Sequence, residues 1–71
     1  MSRPSKPWRI VLPSPTGPIN KPHASEAATL RAVEAEKTST TVNRITVEKW
    51  TDGHWGEWLH WVRTGEGWTA Q

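Results

Sequence analysis

The sequence contains no cysteine, no phenylalanine and no tyrosine. Without cysteine the chain can form neither a disulfide nor a zinc site built on thiolates. No apolar run approaches the roughly 20 residues that a membrane-spanning helix needs, and residues 1–22 lack the pattern of a signal peptide. We therefore expect a soluble, cytoplasmic protein that does not contact a membrane.

Tryptophan supplies the large side chains that the other aromatic residues do not. A chain of 71 residues with six tryptophans forms a single small domain, and a core of that size is marginal unless something reinforces it. Each indole can bury roughly 150–250 Å². Tryptophan packing or self-association is therefore expected to provide the reinforcement.

Residues 45–63, ITVEKWTDGHWGEWLHWVR, predict a β-hairpin and contain four of the six tryptophans. A run rich in β-branched residues ends at Trp50, and an aromatic run begins at Trp55. Asp52-Gly53 between them suits a tight turn, because such a turn needs positive φ angles that Gly adopts freely and Asp tolerates.

Two registers are open, and they place different side chains on each face. A two-residue loop pairs Trp50 with Trp55 and Arg44 with Trp61; its two faces are Ile45, Val47, Trp58 and Val62 against Trp50, Trp55, Leu59 and Trp61. With a three-residue loop, one face instead carries Ile45, Val47, Trp55, Leu59 and Trp61, and the other face carries Trp50, Trp58 and Val62. We favour the two-residue loop for its aromatic pairs, although it also places Glu48 opposite Glu57.

The residues before the hairpin predict one strand and one helix. Trp8–Leu12 is a short apolar run between two prolines. Residues 13–22 hold four prolines and predict a stiff, irregular linker, with a polyproline-type ligand as the alternative. Residues 24–37 are rich in helix formers and offer Ser25 as the N-cap. Only Leu30 and Val33 are large apolar residues there, so the amphipathic pattern is weak.

These elements predict an α+β protein, a small βαββ domain with a three-stranded, mainly antiparallel sheet and one helix packed on one face. The strands are expected near 8–12, 43–50 and 54–63. We favour placing the first strand beside the second hairpin strand, which makes every pairing antiparallel, whereas the other order requires a parallel pair. The domain is expected over residues 8–63, between a disordered, basic, proline-rich arm over 1–7 and a flexible tail over 64–71. Trp68 in that tail either folds back, which we favour, or stays free.

No pattern of catalytic residues occurs in the sequence. His54 and His60 are about 20 Å apart on an extended strand, too far to share a metal, and Glu57 is expected on the opposite face from both. No phosphate loop, nucleophile elbow or dinucleotide fingerprint is present. We therefore expect no enzyme activity, no cofactor and no metal.

Charge is divided unevenly along the chain. The first 22 residues have four basic residues and no acid, whereas the rest has five basic and seven acidic residues, a net charge of −2. A basic arm can touch phosphate, or it can simply keep a small protein soluble. Nucleic-acid binding would use indole stacking together with four phosphate contacts, namely Arg3, Lys6, Arg9 and Lys21.

The favoured function is protein binding through the tryptophan-rich hairpin. Either register places large apolar groups on both faces of the sheet, and one helix covers only one face. We expect the exposed face to be covered by a host or phage protein or by a second copy in a homodimer, with nucleic acid as the second choice. A carbohydrate ligand is disfavoured because the hairpin has few polar groups that could bind its hydroxyls. The expected interaction residues are Trp50, Trp55, Leu59, Trp61, Arg44 and Trp68.

Three segments, PWRIVLPSPTGP, HASEAATLRAVEAEK and ITVEKWTDGHW, resemble small accessory proteins of mycobacteriophages and other actinobacteriophages over almost their whole length. The resemblance implies no catalytic residues. It implies a setting in the host-cell cytoplasm and a macromolecular partner from the host or the phage.

Overall fold

The structure is a computed structural model that describes residues 5–39, 41–65 and 67–71. The described residues form five strands and one helix, in the order β1 (Trp8–Leu12), β2 (Ile19–His23), α1 (Glu26–Glu36), β3 (Arg44–Thr51), β4 (His54–Thr64) and β5 (Gly67–Ala70).

The strands form a single sheet in the order β2-β1-β3-β4-β5, and every neighbouring pair is antiparallel. The predicted α+β class with one helix and an antiparallel sheet is confirmed. The predicted βαββ arrangement with three strands is wrong, because β2 and β5 extend the sheet at its two edges.

β2 lies in the proline-rich segment that the sequence predicted to be irregular. Ser14 and Gly17 close the preceding turn, since Gly17 N donates to Ser14 O at 3.0 Å. Trp50 N donates to Pro7 O. Since the direction of backbone hydrogen bonding alternates along a strand, Arg9 and Val11 form their backbone hydrogen bonds with β3, and Ile10 forms its own with β2. Lys21 is the partner of Ile10, so the backbone N–H and C=O of Lys21 point toward β1. The backbone groups of the next residue, Pro22, therefore point away from the sheet. A proline is tolerated there because its missing N–H would have faced solvent.

The strand order also differs from the prediction. β1 pairs with β3, the first strand of the hairpin, and not with the second. β2 already reverses the chain after β1, so α1 connects two strands that run in the same direction on either side of β1. β3 consequently enters antiparallel to β1, and no parallel pair is needed.

Residues at both ends of the predicted domain join the sheet. Pro7, assigned to the disordered arm, is buried, while residues 1–4 of that arm lie outside the described residues. Four residues assigned to the flexible tail form β5, and Gln71 N donates to His60 O at 2.8 Å. Trp68 packs against the core, which is the fold-back arrangement.

α1 begins two residues after the predicted start, directly after the predicted N-cap Ser25. The Ser25 side chain accepts a hydrogen bond from Ala28 N at 3.2 Å, as an N-cap does. Thr29 and Val33 face the sheet and are buried, and the Thr29 hydroxyl donates to Ser25 O at 2.7 Å. Leu30 instead points outward and is 37% exposed.

The core lies between α1 and the central strands. α1 contacts β1, β2 and β3, and the buried apolar side chains are Trp8, Ile10, Leu12, Val33, Ile45 and Val47. The face of the sheet that α1 covers is called the helix face below. Leu59, Trp61 and Trp68 pack against the same core from β4 and β5.

The hairpin has the predicted two-residue loop, with φ of 52° at Asp52 and 84° at Gly53, and Trp50 pairs with Trp55. Between Val47 and Glu48 the register shifts, and Trp58 has no partner on β3. Such a β-bulge directs two consecutive side chains to one side of the sheet.

The bulge overturns the predicted pairs beyond it. Arg44 pairs with Val62, and Trp61 with Ile45. Leu59 and Trp61 therefore lie on the helix face with the core, and not beside Trp50 and Trp55.

Candidate functional site

The side of the sheet away from α1 is the candidate site, and it is called the open face below. Alternation along the three central strands and their register assigns ten side chains to it. They are Arg9, Val11, Arg44, Thr46, Glu48, Trp50, Trp55, Glu57, His60 and Val62.

Two indoles and an ion pair form the first cluster on the open face. The rings of Trp50 and Trp55 meet edge to face, with centroids 5.5 Å apart and planes at 74°. The guanidinium carbon of Arg9 lies 4.2 Å from the centroid of the Trp55 ring. Arg9 Nε also donates to Glu48 Oε1 at 2.5 Å. Both indoles are half-buried, and Trp55 packs against both Trp50 and the Arg9 guanidinium.

A second, polar cluster lies beside it. Thr46 Oγ1 and His60 Nδ1 are 2.9 Å apart, and Glu57 Oε1 is 3.7 Å from the same His60 nitrogen. The bulge brings Glu57 and His60 to one face, so the expectation that they point to opposite faces is wrong. A catalytic relay needs the hydroxyl and the carboxylate on different ring nitrogens. Here both groups approach Nδ1, so the cluster is not arranged as a relay.

A cleft of about 310 Å³ lies where β1 runs into the turn before β2. Its lining consists of Val11, Leu12, Pro13, Ser14, Gly17, Pro18, Arg44 and Thr46. Three of these residues, Val11, Arg44 and Thr46, also belong to the open face. The cleft therefore adjoins the far end of that face from the two indoles.

Three predicted interaction residues stabilise the fold and do not reach the open face. Lys37 Nζ lies 4.8 Å from the centroid of the Trp61 ring. Trp68 Nε1 donates to Lys37 O at 3.1 Å. Leu59 packs against the core. Of the predicted interaction set, Trp50, Trp55 and Arg44 remain on the open face.

Arg63 is a structural residue that the sequence analysis did not single out. Its guanidinium carbon lies 4.8 Å from the centroid of the Trp68 ring. Its Nε donates to Val42 O at 3.0 Å, and its Nη2 donates to Lys37 O and Ser39 O. Arg63 and Trp68 together bind the carbonyls that follow α1, and so they fasten the end of the helix to the sheet.

The predicted phosphate contacts that the structure describes do not converge on one surface. Arg9 lies on the open face and is paired with Glu48. Lys21 Nζ lies 3.0 Å from Glu36 Oε2 of α1, which places it on the helix face. Lys6 is exposed, and Arg3 is outside the described residues.

Trp58 belongs to the helix face although it is 39% exposed. Its ring meets the Trp8 ring edge to face at 4.8 Å. The adjacent apolar pair Trp58-Leu59 interrupts the alternation of β4, and that interruption is the sequence signal that could have revealed the bulge.

Neither the described residues nor the comparisons with known proteins identify a family. Within residues 5–39, 41–65 and 67–71, no group of three or more acidic or histidine residues is placed to hold a metal ion. None of the described helices is both long and apolar enough to span a membrane. No family model, curated protein or solved structure matches this chain.

Proposed function

We propose that this chain is a small accessory protein that binds another protein through its open face, with Trp50 and Trp55 as the anchor. One observation supports the proposal above the others. Two indoles that pack against each other lie partly exposed beside the Arg9–Glu48 ion pair, on the side of the sheet opposite α1.

The composition of this surface matches a protein interface. Tryptophan and arginine are enriched among the residues that dominate binding energy at such interfaces, and they are typically surrounded by a polar rim. On the open face, Glu57, His60 and Thr46 provide that rim next to the indoles. Because the two indoles already pack against each other, each loses less side-chain entropy on binding than an indole without contacts would.

The same geometry disfavours nucleic acid as the partner. A base stacks on the flat face of an aromatic ring, and Arg9 occupies one face of Trp55 at 4.2 Å. Glu48 and Glu57 would repel phosphate beside the indoles. Of the N-terminal basic residues that the structure describes, Arg9 lies on the open face and Lys21 on the helix face, so these two do not share one phosphate track.

We infer binding and not catalysis, because the Thr46 hydroxyl and the Glu57 carboxylate both approach the same ring nitrogen of His60. We also propose, from the sequence resemblance to actinobacteriophage accessory proteins alone, that the partner is a host or phage protein met in the host-cell cytoplasm. No cofactor or metal enters this proposal.

The test compares three forms of the chain in affinity capture from host-cell lysate. They are the unchanged protein, the double variant Trp50→Ser/Trp55→Ser, and the control Leu30→Ser, which changes an exposed apolar residue of α1. We expect the unchanged protein and the control to retain the same partner. The double variant should bind the purified partner roughly thirtyfold more weakly, since truncating an anchor residue costs about 2 kcal/mol or more.

Equal retention by all three forms would contradict the proposal. A titration with labelled single-stranded and duplex nucleic acid at several salt concentrations provides the second arm. Micromolar affinity with a steep salt dependence would assign the open face to nucleic acid instead.

A further inference from the structure

The cleft described above lies within reach of anything bound to the open face. Thr46 lines the cleft and Trp50 belongs to the indole cluster, and both are on β3. They are four positions apart, which is about 13 Å along an extended strand. A partner segment of a few residues can therefore contact the indoles and enter the cleft together.

The polar side chains of the cleft are already bonded within the protein. The Ser14 hydroxyl lies 3.1 Å from Thr16 Oγ1 and accepts a hydrogen bond from Thr16 N at 3.3 Å. The Thr46 hydroxyl lies 2.9 Å from His60 Nδ1. What the cleft offers a ligand is consequently apolar surface from Val11 and the prolines.

Arg44 is the exception, because it adds a positive charge to the lining of the cleft. Among the described residues, no carboxylate forms an ion pair with Arg44. Three other basic side chains of the described chain do have carboxylate partners, and these pairs are Arg9–Glu48, Lys21–Glu36 and Lys37–Glu34. An exposed guanidinium beside an apolar cleft favours a ligand that combines an apolar group with an anion.

We propose that the cleft is a specificity subsite for an acidic–apolar residue pair within the partner protein. The apolar side chain enters the cleft, whose volume of about 310 Å³ accommodates a group of leucine size, and the neighbouring carboxylate pairs with Arg44. This inference rests on the proposed function, since it names the chemistry of the partner segment at the end of the open face.

The experiment uses blocked dipeptides as probes. Acetyl-Glu-Leu-amide and acetyl-Gln-Leu-amide have nearly the same shape and differ in one charge. Each is titrated into the ¹⁵N-labelled protein, and the backbone amide shifts of Val11, Gly17 and Thr46 are followed. We expect the Glu peptide to bind roughly fivefold more tightly, which is the strength of one favourable, partly exposed ion pair, and the preference to shrink at high salt.

Two variants and a control assign the preference to Arg44. Arg44→Gln should remove it and Arg44→Glu should reverse it. Arg31→Gln, which removes a positive charge from the exposed side of α1, should leave it unchanged. The amide spectrum of each variant also reports whether the fold is intact.

Several outcomes would overturn the assignment. Equal binding of the two peptides, shifts confined to other residues, or a preference that survives Arg44→Gln would each do so. Tighter binding of acetyl-Gln-Leu with a free carboxyl terminus than of acetyl-Glu-Leu-amide would assign the subsite to a chain terminus and not to an internal pair.

The two proposals fail in distinguishable ways. If Arg44→Gln leaves partner capture unchanged while Trp50→Ser/Trp55→Ser abolishes it, the subsite is refuted and the protein-binding function stands. If the double variant has no effect on capture, the proposed function is refuted whatever the peptides show.

Discussion

Replacing Trp68 tests whether the C-terminal residues are part of the folded domain. The indole lies between β5 and the end of α1, where its Nε1–H donates to Lys37 O and its ring contacts the Arg63 guanidinium. Trp68→Phe keeps most of the ring contacts and removes the donor. Trp68→Ala removes both, and Thr69→Ala is the control because Thr69 is an exposed neighbour on the same strand.

The expected losses follow from these contacts. If about half of the roughly 150–250 Å² of an indole is withdrawn from water, about 100 Å² at ~25 cal/mol/Å² gives about 2.5 kcal/mol. A hydrogen bond adds about 1 kcal/mol, while the compact denatured chain lowers the apolar part by roughly a quarter. We expect Trp68→Ala to cost about 3 kcal/mol and Trp68→Phe about 1 kcal/mol of unfolding free energy.

Such a loss is large for this chain, because domains of its size have a stability of roughly 4–10 kcal/mol. The measurement is urea unfolding followed by far-ultraviolet circular dichroism, with an unchanged m-value as the check on two-state behaviour. In thermal unfolding, Trp68→Phe should lower Tm by about 4–8 °C. If Trp68→Ala and Thr69→Ala differ by less than about 0.5 kcal/mol, the packing of the C-terminal strand described here is wrong.

Three further predictions concern the helix, the hairpin and the assembly. Ser25→Ala should cost about 1 kcal/mol in urea unfolding and Ser25→Gly only a few tenths; equal costs would contradict the capping role. Gly53→Ala should cost about 1 kcal/mol because Gly53 has a φ of 84°, whereas Gly56→Ala, at a position with open space around it, should be neutral or stabilising; a greater cost at Gly56 would refute the turn assignment. Without a partner, a second copy is expected to cover the open face in a reversible homodimer, so light scattering at micromolar concentration should give twice 8.0 kDa; a single 8.0 kDa species excludes the dimer.

Local signals predicted the elements that depend on a few adjacent residues. The Asp52-Gly53 loop formed because the required positive φ angles suit these residue types. Ser25 caps α1 because a side-chain oxygen can satisfy a free N–H of the first turn. In both cases the deciding interaction lies within four residues.

The remaining features depend on contacts between distant segments. Pro22 is compatible with a strand only because β2 is at the edge of the sheet and the backbone nitrogen of Pro22 faces away from β1. The sequence of this segment alone does not determine that edge position. The Trp68 indole packs at the end of α1 because its Nε1–H donates to Lys37 O, 31 positions earlier in the chain.

The candidate site was predictable only where it depends on residues close together in the sequence. Trp50 and Trp55 follow directly from the turn, so the sequence placed them together correctly. Leu59 and Trp61 lie beyond the bulge, where the register shift moves them to the helix face. Arg9 joins the site through the pairing of β1 with β3, and the predicted strand order did not contain that pairing.

The most direct test of the central claim uses the six tryptophans as reporters. Each indole N–H gives its own ¹H–¹⁵N signal, and the structure assigns Trp50 and Trp55 to the open face and Trp8, Trp58, Trp61 and Trp68 to the helix face. On addition of the captured partner, we predict that the signals of Trp50 and Trp55 shift or broaden while those of Trp61 and Trp68 stay in place. Changes at Trp58, Trp61 and Trp68 with none at Trp50 and Trp55 would show that the partner binds the other side of the sheet, and would contradict the proposed function.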